Sequence, residues 1–322
     1  MEGISVDILR QTARVVRGDR ALPRWAVATL MANIGIVVTG GLVRLTGSGL
    51  GCPTWPKCSE ESYVSHPELG YHGLIEFGNR LLTFVLIMVA VFTLISALVY
   101  RENGEPRSDL RWLAAVIALG IPAQAVIGGL SVLYQLNPYI VGLHLLVSMI
   151  LISLSVSLVR KTWQSRVQPV GRLAVLMSRS TFVAMALVIV LGTLVTGSGP
   201  HAGDENVTRS GLDGLLLTRL HASTVYLTIA LTVVCLGLVR NRAAVQLLAV
   251  EILQATIGIS QYYTGVPIWL VALHLLGAAL SIAAATNLVL SVRSIRPGRP
   301  ENGMPSAVPA AAVPHDAGQL DS

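Results

Sequence analysis

One histidine heads the apolar stretch Val141-Gly142-Leu143-His144-Leu145-Leu146-Val147-Ser148, whose hydrophobic character continues to Val159. Nearly the same phrase returns as Val271-Ala272-Leu273-His274-Leu275-Leu276-Gly277-Ala278. An imidazole beside apolar sequence of membrane-spanning length is costly unless it is paired, hydrated or bound to a metal. Because this costly residue occurs twice in the same setting, His144 and His274 are candidate metal ligands.

The composition is that of a membrane protein. Of the 322 residues, 53% are hydrophobic and 12% are charged, and the mean hydropathy is +0.66. A soluble domain carries about twice that charged fraction, and a helix needs about 20 apolar residues to cross a bilayer. We therefore predict an all-α integral membrane protein with eight transmembrane helices. The predicted spans are residues 25–41, 74–100, 110–130, 139–159, 173–196, 215–239, 243–261 and 268–292.

Basic residues are distributed unevenly among the predicted connections. Most of the 23 Lys and Arg residues lie on one side, and the positive-inside rule makes that side, with both termini, cytoplasmic. This asymmetry accounts for the net charge of +6. Since no separate basic patch is interleaved with aromatic residues, the sequence argues against nucleic acid as a partner. The opposite, outer side holds Arg44, Lys57, Arg80, Arg209 and Arg219.

The second half of the chain repeats the first. Gln254-Ala255-Thr256-Ile257-Gly258 follows Gln124-Ala125-Val126-Ile127-Gly128 at an offset of 130 residues, the offset that also separates His274 from His144. Residues 215–230 resemble residues 74–84, which aligns His221 with Asn79. Equal offsets over two motifs indicate a duplication. Four spans in each half predict two four-helix bundles related by a pseudo-twofold axis along the membrane normal.

The predicted organisation has five parts. They are a cytoplasmic amino-terminal segment (1–24), a first bundle (25–160), a cytoplasmic linker (161–178), a second bundle (179–292) and a disordered cytoplasmic tail (293–322).

An outer loop carries Cys52-Pro53-Thr54-Trp55-Pro56-Lys57-Cys58. Two cysteines separated by five residues in an oxidising compartment suit a small disulfide-closed ring. A pair of free thiols is the alternative. A metal site is disfavoured, because two cysteines supply too few ligands.

Glu76, Asn79 and Arg80 follow this loop at positions i, i+3 and i+4, so they share one face of a helix. One interpretation is a structural ion pair between Glu76 and Arg80. The other is a carboxyl group at the edge of a site, positioned for proton transfer. The residues alone rank these two interpretations equally.

In the second half, His221 and His274 lie near the outer ends of their spans and can face each other across a bundle. That arrangement suits bis-histidine ligation of haem b, whereas the alternative is two histidines hydrogen-bonded to water or carbonyl groups. In the first half the corresponding residues are Asn79 and His144. Asparagine is not a usual iron ligand, so the first pocket is expected to hold a haem-like substrate with an open face near Glu76. His201, in the second-half outer loop, could contact a haem propionate or be solvated.

These residues resemble the haem A synthase family of bacterial type. The resemblance extends over residues 25–292 and rests on three segments together with the three span histidines. The segments are Arg44-Leu45-Thr46-Gly47-Ser48-Gly49-Leu50-Gly51-Cys52-Pro53-Thr54-Trp55-Pro56-Lys57-Cys58, Glu76-Phe77-Gly78-Asn79-Arg80 and Thr196-Gly197-Ser198-Gly199-Pro200-His201-Ala202-Gly203-Asp204.

The resemblance implies oxidation of the methyl group of haem O to a formyl group, giving haem A for cytochrome oxidase, by two hydroxylations and loss of water. It implies that Glu76 is the essential acidic residue, that His144 is a ligand of the substrate haem, and that His221 and His274 are ligands of haem b. It also implies a disulfide between Cys52 and Cys58 that takes part in redox transfer or haem handover. The further candidate pocket residues are Asn79, Arg80, Arg44, Gln124 and His201.

This chain departs from the family pattern at two points. Asn79 stands where the family commonly has histidine, which leaves the ligation of the first-half haem open. Residues 196–218 lack the second cysteine pair of some members, so a single disulfide is expected.

Haem O, the lipid bilayer, a haem O synthase and cytochrome oxidase assembly factors are the implied partners, and a homo-oligomer remains open. The implied location is the bacterial cell membrane, with the haem sites toward the outer face. From the residues alone, one alternative is a non-catalytic di-haem b-type membrane cytochrome that passes electrons to or from quinone. Another is a transporter or haem exporter with pseudo-symmetric halves.

Overall fold

The computed structural model describes residues 21–199 and 207–295, and within them eight helices are long and apolar enough to cross a membrane. This confirms the predicted all-α, multi-pass architecture. The helices are α1 (Ala21–Leu45), α2 (Gly70–Val99), α3 (Ser108–Leu133), α4 (Pro138–Thr162), α5 (Arg172–Ser198), α6 (Gly214–Val239), α7 (Arg242–Tyr263) and α8 (Ile268–Leu290).

Polar and proline residues begin several of these helices. Asn137 accepts a hydrogen bond from the Tyr139 amide at the start of α4, where Pro138 is the first helical residue. Asp213 caps α6 and Asn241 caps α7 in the same way. Such side chains satisfy amide groups that have no partner within the helix, which fixes where each span starts.

The first helix is longer than predicted. The predicted span ends at Gly41, but α1 continues to Leu45, and the chain turns at Gly47, where φ is +65°. A glycine inside a helix costs about 1 kcal/mol relative to alanine. Here that cost is offset by packing, because a Cβ on Gly41 would overlap the Leu275 side chain of α8.

Each half of the chain closes a ring of four helices. In the first half, each of α1, α2, α3 and α4 packs against the next, and α4 packs back on α1; α5 to α8 do the same in the second half. The halves meet where α4 packs on α8, flanked by α1 on α8 and α5 on α4. The two halves therefore show the same pattern of neighbours, and the pseudo-twofold axis stays a prediction.

The main apolar core lies along this seam. Met149 and Ile152 of α4 pack with Met185 of α5 and with Ala279 and Ile282 of α8. Outward-facing positions are also apolar, since Phe84, Leu119 and Val183 are each about two-thirds exposed or more, at 67%, 72% and 65%. A surface of this kind suits lipid, where backbone groups must be satisfied inside each helix.

Four short strands join the helix ends. Strands β1 (Arg101–Glu102) and β2 (Glu105–Pro106) form an antiparallel hairpin between α2 and α3. Strand β3 (Gln168–Val170), between α4 and α5, pairs in parallel with β4 (Val292–Ser294), directly after α8.

These elements shift the boundaries of the predicted segments. The predicted linker 161–178 contains the end of α4, strand β3 and the start of α5, and the predicted disordered tail begins inside β4. The predictions for residues 1–20, for His201 and for residues 296–322 lie outside the described residues.

Candidate functional site

Each half has one histidine at the same position of its last helix. His144 is the seventh residue of α4, and His274 is the seventh residue of α8. Each imidazole lies against a glycine of the preceding helix: a Cβ on Gly128 would be 3.2 Å from Cε1 of His144, and one on Gly258 would be 3.3 Å from Cε1 of His274. A larger residue at either glycine would push the ring aside, so the glycines make the space in which the rings lie.

A glutamine braces each of these histidine helices. Nε2 of Gln124 donates to the His144 carbonyl at 2.8 Å, and Nε2 of Gln254 donates to the His274 carbonyl at 2.9 Å. Both bonds join neighbouring helices at the depth of the imidazole. The offset of 130 residues in the sequence therefore corresponds to the same contact in both halves. Gln124, predicted as a pocket residue, braces the backbone that carries His144.

His221 is fixed by a backbone carbonyl. Its Nδ1 lies 3.0 Å from the Val188 carbonyl oxygen of α5, and Gly192, one turn further along α5, leaves room for the ring. Because a carbonyl only accepts, this bond requires the hydrogen on Nδ1 and leaves the Nε2 lone pair available. Metal-binding histidines are commonly oriented in this way.

The second half brings two imidazoles into one bundle. His221 and His274 lie near enough to interact electrostatically. Nδ1 of His274 is buried and lacks a hydrogen-bond partner among the described residues, as does Nδ1 of His144. A buried polar atom left unpaired costs about 1–3 kcal/mol. Nδ1 of His144 and of His274 therefore has no hydrogen-bond partner among the described residues, and Nε2 of His221 has a free lone pair. These nitrogens are suited to bind a group that takes imidazole as a ligand.

Asn79 takes the position of His221 in the first half. Gly40 of α1 lies beneath it, where a Cβ would be 3.9 Å from Nδ2. Its Oδ1 is buried without a hydrogen-bond partner in the part of the chain that the structure describes. The two halves therefore share a scaffold of glycines but differ in the group presented, a carboxamide in one and an imidazole in the other.

Glu76 is held between a side chain and a backbone amide. It is 5% exposed, its Oε1 accepts from Arg80 Nη2 at 2.6 Å, and its Oε2 accepts from the Cys52 amide at 2.7 Å. Arg80 also donates to the Cys52, Thr54 and Lys57 carbonyls, each at 3.0 Å. The ion pair of the first interpretation is present and anchors the outer loop, whereas a role of Glu76 in proton transfer stays a prediction.

The outer loop covers one end of the first bundle. Cys52 and Cys58 are joined by a disulfide. Trp55, inside the ring that the disulfide closes, packs against α3 so closely that a Cβ on Gly129 would overlap its indole. The loop therefore reaches from Arg80 on α2 to Gly129 on α3 and lies over the region between them.

Arg44, another predicted pocket residue, takes part in a contact between the two halves. Nη2 of Arg44 donates to the Thr196 carbonyl at 3.3 Å, which connects the outer ends of α1 and α5 across the seam. In the described residues, Glu76 forms no hydrogen bond to His144, and no group of three His, Cys, Asp or Glu side chains could hold a bare metal ion. A site built from paired imidazoles remains consistent with this arrangement.

The sequence interpretation missed one residue of the second bundle. Glu251 of α7 is 4% exposed inside an apolar span. The sequence did contain a signal for Glu251, since an ionisable residue at membrane depth is by itself an indication of function.

These features define a class of protein: a duplicated eight-helix membrane protein in which histidines lie over glycines near one end of each bundle, with a disulfide-closed loop over the first. The family model described as Cytochrome oxidase assembly protein (COX15-CtaA) matches residues 23–203, which is more than half of the chain. The chain belongs to this family.

The curated relatives carry a more specific name. A protein of Listeria welshimeri named Heme A synthase is 33% identical over 127 residues, which are 39% of this chain and 40% of that relative. Proteins with the same name from Geobacillus thermodenitrificans and Geobacillus kaustophilus are 36% identical over 110 residues and 31% identical over 136 residues. These segments cover 34% and 41% of this chain and 32% and 40% of the respective relatives. The matches thus span about two-fifths or less of the length of these relatives.

Proposed function

We propose that this protein is a haem A synthase, an oxidoreductase that converts the methyl group of haem O to the formyl group of haem A. Family membership and the name shared by the relatives support this activity. The observation that carries it is the repeated arrangement of histidine over glycine, which changes to asparagine at one position of the first half only.

The second bundle is proposed to hold haem b between His221 and His274. The Val188 carbonyl orients the ring of His221 with Nε2 open, and Gly258 and Gln254 set the depth of His274. Haem b bound by two imidazoles would supply one-electron transfer. The small residues beneath both rings support a flat group between the helices, since they let the backbones approach without filling the space.

The first bundle is proposed to bind the substrate haem O through His144. The unpaired carboxamide oxygen of Asn79 supports a polar but non-ligating group on the opposite side. We assign Glu76 to stabilisation of positive charge that develops at the reacting methyl carbon. Proton transfer is the weaker assignment, because both carboxylate oxygens already accept hydrogen bonds.

The experiment that tests this function is pigment extraction after expression with and without supplied haem O. We expect haem A to accumulate only when haem O is present, in a preparation that also contains haem b. Haem O recovered unchanged from a protein rich in haem b would contradict the activity and favour a di-haem electron carrier. A colourless preparation made with ample porphyrin would contradict both.

The cellular setting is proposed with the activity. The eight helices support a bacterial cell-membrane location, and the positive-inside rule supports cytoplasmic termini, with the sites toward the outer face. A haem O synthase as donor of the substrate, and cytochrome oxidase assembly factors downstream, follow from the proposed reaction.

A further inference from the structure

Glu251 is a buried carboxyl group that the proposed activity does not use. It lies nine residues after the start of α7, is 4% exposed, and belongs to no ion pair among the described residues. Its Oε1 accepts a hydrogen bond from Thr232 Oγ1 of α6 at 2.9 Å. Its Oε2 is buried and has no hydrogen-bond partner in the described part of the chain. A carboxyl group left half-satisfied at this depth needs an explanation.

The fold itself does not require a carboxyl group at this position. Glu251 follows Ile121 by 130 residues, the offset that relates His274 to His144 and Gln254 to Gln124. Ile121 is 1% exposed and occupies the equivalent place on α3 as an ordinary core residue. The same scaffold therefore accepts an apolar side chain in one half and carries an acid in the other.

The residues around Glu251 are also polar, whereas their equivalents in the first half are apolar. Thr232 follows Ala90 by 142 residues, which is the separation of His221 from Asn79, and Thr228 follows Leu86 by the same number. In the first half, Leu86, Ala90 and Ile121 form an apolar cluster. In the second half, the equivalent positions hold two buried threonines and the glutamate. The three buried residues of this cluster are thus matched by polar groups in the bundle proposed to carry haem b.

The carboxyl group lies on the face of α7 that supports the histidine pair. Glu251, Gln254 and Gly258 are spaced i, i+3 and i+7, so they share one helix face. Gln254 bonds the His274 carbonyl, and Gly258 lies under the imidazole. At 1.5 Å of rise per residue, Glu251 is about 10 Å along the axis from Gly258.

Buried hydroxyl and thiol groups continue from Glu251 toward the end of the bundle where α7 begins. Cys235 is three residues beyond Thr232 on α6, and its Sγ lies 3.5 Å from Thr181 Oγ1 and 3.9 Å from Ser178 Oγ. All of these side chains are essentially inaccessible to solvent. These hydroxyl and thiol groups extend the buried polar surroundings of Glu251 toward that end of the bundle.

We propose that Glu251 is a proton-binding site coupled to electron transfer in the second bundle. This inference rests on the haem b proposed for His221 and His274. Glu251 takes up one proton, forming an O–H bond, when a one-electron reductant supplies an electron to that haem. The carboxyl group releases the proton to water when the electron leaves, so charge is balanced in both directions.

The physical reason is the low effective dielectric of the bundle interior. An electron added to a haem held by His221 and His274 would raise the cost of a negative charge on Glu251, and protonation would remove that cost. The helices packed against α7 are α6 and α8. The titratable groups that they turn into the bundle are Cys235, His221 and His274. None of these three provides a carboxylate that could take the place of Glu251.

The test is a redox titration of the haem-loaded, full-length protein at a series of pH values, comparing wild type with Glu251→Gln. We expect the wild-type midpoint potential to fall as pH rises. The slope approaches about 59 mV per pH unit, which is a tenfold change in proton concentration converted for one electron. In Glu251→Gln this slope is lost or sharply reduced. Thr256→Val, which removes an exposed hydroxyl from the same helix α7 but keeps the carboxyl group, should retain the slope.

Redox-induced infrared difference spectroscopy on the same samples identifies the group that binds the proton. Reduction should produce the carbonyl band of a protonated carboxyl group in wild type, and Glu251→Gln should lack it. Equal pH slopes in the two proteins would overturn the proposal, as would a band that persists in the variant.

A second variant guards against misfolding. Glu251→Ile copies the residue that the first bundle already accepts and should lose the slope in the same way. A colourless wild-type preparation would refute the proposed haem site and this inference with it. Equal slopes in coloured proteins would refute the inference alone.

Discussion

The three histidines in the spans are held in two different ways, and this limits what the sequence could predict about each. The sequence identified His144 and His274 because both stand out in apolar runs of the same pattern. It could not predict how His221 is oriented, because its partner is the backbone carbonyl of Val188, and a carbonyl has no signature in the sequence. Orientation of a ligand depends on which helix packs beside it.

Loss of one imidazole should remove the low-spin haem. His274→Ala leaves the proposed haem b with a single protein ligand and opens a cavity beside Gly258. We expect the low-spin b-type absorption spectrum to disappear while the purified protein remains monodisperse. His66→Ala, at an exposed loop histidine, is the matched control and should leave the spectrum unchanged. A normal spectrum in His274→Ala would show that this residue is not a ligand.

Removal of the Glu76 carboxylate should reduce catalysis and leave folding unchanged. In Glu76→Gln, Arg80 keeps its bonds to three loop carbonyls, so the outer loop stays anchored. Because the stabilising charge is lost, we expect conversion of haem O to fall by about a hundredfold or more, with the haem b spectrum unchanged. Extracted pigments, measured against Glu60→Gln in the same loop, provide the comparison.

Normal haem A output from Glu76→Gln would contradict the role assigned to this carboxylate. If the haem b spectrum were also lost, the residue would be structural, as the ion pair with Arg80 allows.

At the scale of the helices, glycines allow neighbouring helices and side chains to approach closely, and several of these glycines recur at equivalent positions of the two halves. Gly128, Gly192 and Gly258 each lie under an imidazole, and Gly41 lies against Leu275 at the seam. Existence and type of all eight helices could be predicted, because apolar runs of this length have few alternatives. The end of α1 could not, because its glycines serve interhelical packing and do not terminate the helix.

Addition of one methyl group beneath an imidazole should disturb the site more than the fold. In Gly258→Ala the new Cβ would lie 3.3 Å from Cε1 of His274, which is tighter than an ordinary contact. We expect weaker retention of haem b and a shifted spectrum. Gly237→Ala, on the neighbouring helix α6, meets nothing within 4 Å.

The two alanine substitutions should therefore have different effects on the haem b spectrum. Gly237→Ala should leave the spectrum unchanged and stabilise the helix by about 0.5–1 kcal/mol, measured by thermal unfolding in detergent. Identical spectra in both variants would show that the glycine under His274 is not required to make space for the ring.

At the scale of the whole molecule, the duplication could be predicted and the seam could not. Two motifs at one offset were sufficient to divide the chain into equivalent halves. The contacts between the halves involve α4 on α8, the bond from Arg44 to Thr196 and the pairing of β3 with β4. Each of these joins residues far apart in sequence that no local pattern relates. Arg44 takes part in one of these contacts, and its place in a pocket stays a prediction.

The pairing of β3 with β4 should protect the connection between the halves. The backbone amide of Gln168 donates to the Ser291 carbonyl at 2.8 Å, and the backbone amide of Ile295 donates to the Val170 carbonyl at 3.0 Å. A chain that ends at Ser291 lacks β4, so we expect faster tryptic cleavage after Arg166 than in a chain that ends at Ile295. Equal cleavage rates would show that the strand pair does not protect this connection.

The same strand pair has a consequence for biosynthesis. A ribosome makes β3 more than a hundred residues before it makes β4, so the earlier strand waits unpaired while α5 to α8 are inserted. Closure of this pair is then a late event that reports completion of the second half. A nascent chain stalled before that point would expose a free strand edge beside the membrane, where quality-control proteases could recognise it.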